Sequence, residues 1–499
     1  MNDILDKIDT DTAAFRTHAP PDHIVTPGEW ETAALALGKG AAELTALWAS
    51  RRGVHMLLRA GGNLGLLTLE TEDSFPSVGR HHAPAQRMER AIRDLHGLIP
   101  EGVPDTRPWL DHGRWGLSHP LGRPGPATEA RYPFLPAEGE SLHQVAVGPV
   151  HAGIIEPGHF RFTAQGETLV RLEARLGYAH KGIGALMRGA SLTRGAAIAG
   201  RTSGDSTVAY AWAYAQAVEA ASGARVPERA LWLRALMAEL ERLSNHLGDI
   251  GATCNDAGFA MMLAHCGVLR ERVLRAADAA FGHRLMRDCV LPGGVSRDLD
   301  AAGHAAIAEL VREIRARFPA LVALYDTSPS LLDRTVGTGW LDPALAARFA
   351  AGGFVGRASG RAFDTRRDLA YAPYDRLRFE VPCREDGDVN ARILIRIAEV
   401  GQTLDLIDQL LVNLPGGEAS APMPEGTPGH MGLGLVEGFR GDVLAWVEIG
   451  PGGTLAASHL RDPSWFQWPL VEAAIEGNII ADFPLCNKSF NCSYSGHDL

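Results

Sequence analysis

The chain has 499 residues, of which 46% are hydrophobic and 21% charged, and a net charge of −11. That length allows two or three domains with large cores. The acidic balance and the lack of any Lys/Arg block exclude nonspecific nucleic-acid binding. No apolar run reaches the roughly 20 residues that a membrane helix needs. The stretch MNDILDKIDTDTAAF has no basic segment followed by an apolar one, so no signal peptide and a cytosolic chain are expected. Six cysteines, none in a C-x-x-C pair, predict reduced and mostly buried thiols.

In chain order, Val54–Leu58 and Leu64–Leu69 are apolar runs of strand length, and Arg59–Asn63 between them predicts a hairpin. Met88, Ile92 and Leu95 share one face of a predicted helix over 85–97, with Gly97 as its C-cap. Residues 121–140, rich in Pro and Gly, read as an extended or irregular linker. Phe160–Phe162 and Leu169–Glu173 read as paired strands. Pro227 is predicted in the first turn of a helix whose Trp232, Leu236, Leu240, Leu243 and Leu247 form a buried stripe. Gly258–Phe281 is predicted to lie beside it as in a bundle. Near the end, Val436–Val447 reads as a hairpin, and Asp462-Pro463-Ser464-Trp465 is expected to precede the last helix.

The central stretch is Glu173–Ser206. Its opening, E-x-R-x-G-Y-x-H-K-G, is followed by Arg201-Thr202-Ser203-Gly204-Asp205-Ser206. These phrases resemble the large subunit of energy-converting, formate hydrogenlyase-type [NiFe] hydrogenases and the related 49-kDa-type subunit of complex I. The resemblance covers residues 143–499, and residues 1–120 resemble the 30-kDa-type subunit of complex I. The expected fold is α+β. A small N-terminal α/β module (1–120) and a Pro/Gly-rich linker (121–142) precede a mainly α large-subunit domain (143–499), with a helix bundle and peripheral β-hairpins.

In the hydrogenases the second phrase reads R-x-C-G-x-C, a C-terminal pair reads D-P-C-x-x-C, and the four thiolates hold nickel and iron. Aligned without gaps, those positions here are Ser203, Ser206, Ser493 and Gly496. Hydroxyls are hard donors and glycine offers none, so no metal is expected on this chain. No cluster-binding cysteine pattern occurs either, so the resemblance places a [4Fe-4S] cluster on a partner small subunit. Antiporter-like membrane subunits are the other implied partners, and the implied location is the cytoplasmic face of the inner membrane. In complex I the same cavity takes a quinone, with a His on the opening hairpin and a Tyr as proton donors and an Asp supporting the His. The Tyr position is Gly204 here, and the Asp phrase matches Asp256. His151, Glu156 and His159 all lie on the opening hairpin, and Asp205 is a new carboxylate between two former ligand positions. Each has a structural alternative. Glu156 can be an exposed turn residue, His151 and His159 satisfied structural histidines, Asp256 a helix cap and Asp205 a solvated turn residue. Arg175, His180 and Lys181 are expected in a polar network that joins subunits. Three functions stay open: a quinone-reducing subunit, a non-catalytic coupling or scaffold subunit, and a hydrogenase with an altered metal site.

Overall fold

The computed structural model describes residues 22–127 and 132–499. The N-terminal stretch read for a signal peptide and part of the predicted linker lie outside the described residues.

The N-terminal part is a four-stranded sheet with two helices. Its strands are β1 (Asp22–Ile24), β2 (Glu43–Ser50), β3 (Gly53–Ala60) and β4 (Asn63–Glu70), in the order β1-β4-β3-β2. The predicted hairpin is present: Ala60 pairs with Asn63 across Gly61-Gly62. Helix α1 (Pro27–Gly38) starts in a capping box between Thr26 and Glu29. Helix α2 (Gln86–His96) ends at Gly97 in the left-handed conformation, as its sequence predicts.

Strands β5 (Leu142–Val147), β6 (His159–Gln165) and β7 (Thr168–Arg175) form a second, antiparallel sheet. The chain then turns helical. Helix α3 (Thr207–Ser222) is buried along most of its length. Helix α4 (Glu228–Asp256) carries the predicted stripe, all of it buried. Pro227 is the N-cap of α4 rather than a first-turn residue, its ψ of 143° keeping it extended. Helices α5 (Ala260–Phe281), α6 (Ala301–Asp326), α7 (Gly353–Ala358) and α8 (Val389–Val412) follow, with α5 and α8 both packed on α4.

The third sheet is antiparallel, with β8 (Met431–Gly438), β9 (Gly441–Gly450) and β10 (Thr454–Arg461) in that order. Helix α3 lies directly on it. A Cβ on Gly432 or Gly434 would come within 2.0 Å of the carbonyl oxygens of Ala217 or Ala213, so only glycine permits this approach. After Asp462 come α9 (Ser464–Ala474), α10 (Phe483–Phe490) and α11 (Tyr494–Asp498). The helix after Asp462 is therefore not the last. Pro484 allows a new start at α10, and Asn491, with φ of 47°, ends α10 and redirects the tail.

One apolar cluster fills the bundle and the face of the third sheet under α3. A second runs from Trp30 and Met56 through Trp109 to Phe160, Trp468 and Phe483, so the N-terminal sheet and the C-terminal helices share a core. Five of the six cysteines are buried and all are free.

Candidate functional site

Two chain segments far apart in sequence meet at the end of α3. One is the loop 201–206, which leads into α3. The other is the tail, which α11 folds back. Asp462 fastens them: its Oδ1 accepts from Ser464 N at 2.9 Å and its Oδ2 accepts from Tyr210 Oη at 2.8 Å. Ser464 Oγ accepts from Ser493 N at 2.8 Å, which fixes the start of α11.

These bonds bring Ser203, Ser206, Ser493 and Gly496 together. Ser493 Oγ accepts from Gly496 N at 2.8 Å, as the N-cap of α11, and lies 2.8 Å from Ser203 Oγ. Ser203 Oγ donates to Asp205 Oδ1 at 2.7 Å, so Ser493 is the donor in the serine pair. Ser206 Oγ also donates to Asp205 Oδ1, at 3.2 Å. On the other side Arg440 Nη2 donates to Asp205 Oδ2 at 2.6 Å, and Arg440 Nη1 donates to Ser206 Oγ at 3.3 Å. Arg440 is buried, while the Asp205 side chain is 36% exposed. Burial opposes the charge on Asp205. The Arg440 guanidinium and the two serine hydroxyls outweigh it and hold the carboxyl below its usual range.

Asp205 also lines a cavity of about 280 Å³ with Gly204, Glu241, Asn245, Leu274 and Met286. Asn245 Nδ2 donates to Asp205 O at 2.7 Å and so fixes the loop against α4. Glu241 accepts from the amides of Val208 and Ala209 at 2.7 and 3.1 Å, at the first turn of α3. Burial nevertheless pushes its carboxyl up to about 8, the two amide bonds pulling the other way. The cavity wall thus pairs an ionised carboxylate with a carboxylic acid that is mostly protonated at pH 7.

The other predicted residues are distributed unevenly. Glu156 is exposed but accepts from Ser495 N at 3.1 Å, so it reaches the tail beside Ser493. His151 Nε2 bonds Gly158 O at 2.8 Å, and His159 Nδ1 lies 3.4 Å from Gly148 O; both hold the backbone of the opening hairpin. Burial lowers the His159 pKa. Asp256 is the last residue of α4 and does not cap the next helix, whose N-cap is Phe259 with no side-chain bond. The α4 helix continues through Asp256, and the turn comes two residues later at Gly258. Among the described residues, no hydrogen bond or ion pair joins His151, His159 or Asp256 to the Asp205 cluster. Lys181 Nζ donates to Arg201 O at 3.1 Å, His180 Nδ1 donates to Asp498 O at 2.7 Å and Arg175 Nη2 donates to Asp111 O at 3.0 Å. That network therefore ties together parts of this one chain. Sequence reasoning missed Arg440, Glu241 and Asp462 as site residues. Their only signal was membership in phrases read as a hairpin turn, a helix and a helix start.

Comparison with known proteins identifies the family. Residues 256–431 match the family described as respiratory-chain NADH dehydrogenase, 49 Kd subunit, and residues 51–130 match the 30 Kd subunit. The chain is 34% identical over 436 residues to formate hydrogenlyase subunit 5 of Escherichia coli, covering 85% of this chain and 77% of that one. It is 31% identical over 355 residues to the carbon monoxide-induced hydrogenase of Rhodospirillum rubrum, covering 70% and 98%. A chain in the structure of the membrane-bound sulfane sulfur reductase, an archaeal respiratory membrane complex, superposes with a TM-score of 0.68. The identity is 26%, and the match covers 72% of this chain and 99% of that one. The chain therefore belongs to the family that unites complex I 49-kDa-type subunits with the large subunits of formate hydrogenlyase-type hydrogenases, with a 30-kDa-type segment on the same polypeptide.

Proposed function

We propose that this chain is the large subunit of a membrane-bound, ion-translocating oxidoreductase in which a proton-handling cluster stands where relatives hold nickel and iron. Its residues do not fit a nickel–iron centre. The four converged positions offer three hydroxyls and no thiolate, and low-spin iron with nickel needs soft ligands. The hydroxyl of Ser203 already donates to Asp205, and that of Ser493 is shared between Ser203 and Gly496 N. A side chain at Gly496 would start 2.4 Å from Asp462 Oδ2.

The observation that carries the reading is the pair of unlike carboxyls, Asp205 and Glu241, on one cavity. Two carboxyls whose environments push their pKa values apart can act as acid and base. Glu241 holds a proton it can give. Asp205 begins as a carboxylate, and added negative charge in the cavity raises its affinity for a proton. Protonation of Asp205 weakens its ion pair with Arg440 and converts an electron-transfer event into a movement of buried charge. Glu156, exposed on the opening hairpin and bonded to the tail at Ser495 N, is positioned to exchange protons with solvent. A quinone headgroup is the proposed occupant of the cavity. Its electrons would come from a [4Fe-4S] cluster on a partner small subunit. Antiporter-like membrane subunits would complete the complex, with this chain peripheral on the cytoplasmic face of the inner membrane.

A second reading, a coupling subunit without chemistry of its own, draws on the mutual hydrogen bonds that fill the cluster. Metal and quinone analysis of the purified complex, with Asp205→Asn and Glu241→Gln, separates the two. Expected are no stoichiometric nickel, bound quinone, and turnover lowered by about 10²-fold in each variant. Unchanged turnover in both variants, with the complex assembled, selects the coupling subunit. Nickel liganded in this chain overturns both readings.

A further inference from the structure

A second and larger cavity, of about 360 Å³, lies where the N-terminal sheet meets the C-terminal third of the chain. Leu47 of β2 and Met88 and Ile92 of α2 form one wall. Ile183, Leu460 of β10 and Leu121 form the other. This volume falls in the range of small-molecule sites, which are mostly apolar with a few placed polar groups.

The polar groups include three imidazoles, His96, His180 and His459, beside Lys181, Ser458 and Arg461. Burial keeps all three imidazoles neutral at pH 7, with His96 lowered to about 4 and His459 to about 3. Their chemistry is directional. His180 Nδ1 faces the carbonyl of Asp498 and must carry the proton, so Nε2 of the neutral ring is an acceptor. Among the described residues, Nε2 of His180 has no hydrogen-bond partner, and neither does the ring of His96. Trp115 lies against the His180 ring with centroids 4.9 Å apart, and Trp48 stacks on His459 at 5.2 Å. The cations nearby are engaged. Arg461 pairs with Asp442, Arg188 donates to Leu121 O, and Lys181 donates to Arg201 O. Of these only Arg461 is neutralised by a carboxylate; a carboxylate ligand is disfavoured because it has no proton to give His180 Nε2.

We propose that this junction cavity binds a neutral, ring-bearing apolar molecule whose hydroxyl group donates to His180 Nε2, and that the occupant clamps the N-terminal sheet to the C-terminal segment. The site is separate from the Asp205 cavity: the two share no lining residue.

The test is calorimetry on the full chain with 1-naphthol, naphthalene and 1-naphthoate at pH 7.5, together with thermal melting. Expected are one-to-one binding of 1-naphthol, about tenfold weaker binding of naphthalene, little binding of naphthoate, and a melting temperature raised by 1-naphthol. Ala185→Trp, on the exposed rim, should abolish binding without altering the melting temperature of the free protein. His180→Phe should bind naphthalene and 1-naphthol equally. No binding of 1-naphthol, tighter binding of naphthoate, or unchanged binding in Ala185→Trp overturns the proposal. If His180→Phe unfolds, His96→Phe serves in its place: it should keep the preference for 1-naphthol, and loss of that preference overturns the assignment to His180.

Discussion

Gly496 is the most constrained of the four converged residues. A Cβ there would press on Asp462 Oδ2, and Asp462 cannot withdraw because Tyr210 and Ser464 N hold its two oxygens. Gly496→Cys should therefore destabilise the chain by about 1–3 kcal/mol, the usual penalty for forcing atoms into a packed interior. Ser493→Cys keeps a small side chain in place and weakens only the cap and the serine pair, at about 1 kcal/mol. Urea denaturation of both variants checks this, and a Gly496→Cys midpoint equal to that of the parent would remove the steric argument. The same contrast shows what is legible at this scale. Phrase alignment finds Ser203, Ser206, Ser493 and Gly496, and Asp205 stands out as a carboxylate among them. Its counterion does not, because Arg440 lies far away in sequence and neither spacing nor periodicity links a loop before α3 to a turn after β8. Glu241 is hidden for a related reason. It reads as one more charged helix residue until the amides of Val208 and Ala209 are placed against it.

Among the secondary-structure elements, α4 shows where periodicity stops informing. The apolar stripe predicts its packed face, and that face is buried. Glu239, Arg242 and His246 recur at helical spacing on the same element, yet they too are buried. They join a charge network that spans several elements. Arg357 of α7 lies 2.7 Å from Glu399 of α8, 3.0 Å from Glu437 of β8 and 3.4 Å from Asp364. His246 Nε2 is 2.7 Å from Glu399, and Arg366 reaches Glu239 at 2.9 Å and Asp364 at 2.7 Å. Desolvation of these groups is offset only while all partners are present. Arg357→Met removes the cation that Glu399, Glu437 and Asp364 share in the interior. It should cost roughly 3–5 kcal/mol, far more than loss of one surface pair. Equilibrium denaturation measures this directly; a change below about 1 kcal/mol would mean that the network contributes little to the fold. Strands and hairpins are the most legible elements, since alternation and turn residues are local signals. The last two helices are not, because their starts depend on Pro484 and on the left-handed Asn491, which act through backbone geometry rather than pattern.

Across the whole molecule, buried groups of opposite character set the response to pH. His55 and His459 are lowered to about 3, and His82, His96 and His112 to about 4, in each case first by burial. A histidine held neutral in the native state binds its proton more readily when unfolded. Its contribution to stability is therefore complete above about pH 6.5 and is lost as pH falls toward 4. Glu89 and Glu241 behave in the opposite sense. Burial raises them to about 7 and about 8, so the native state holds protons that the unfolded chain has released. Their contribution is complete below about pH 4.5 and is lost as pH rises through 7 and 8. Between pH 4.5 and 6.5 the histidines outnumber the glutamates, and stability rises with pH. Above 6.5 the histidines no longer change and the glutamates still do, so stability falls. The melting temperature should therefore peak near pH 6.5. On the acid side, buried His55 and His82 should each contribute a slope of about 1 kcal/mol per pH unit. Glu241→Gln should flatten the alkaline side and steepen the rise between pH 4.5 and 6.5, where the protonated Glu241 otherwise offsets part of the histidine slope. A melting temperature that climbs steadily from pH 6.5 to 8 in the parent chain would contradict the protonated state assigned to Glu241, and with it the acid that the proposed chemistry requires.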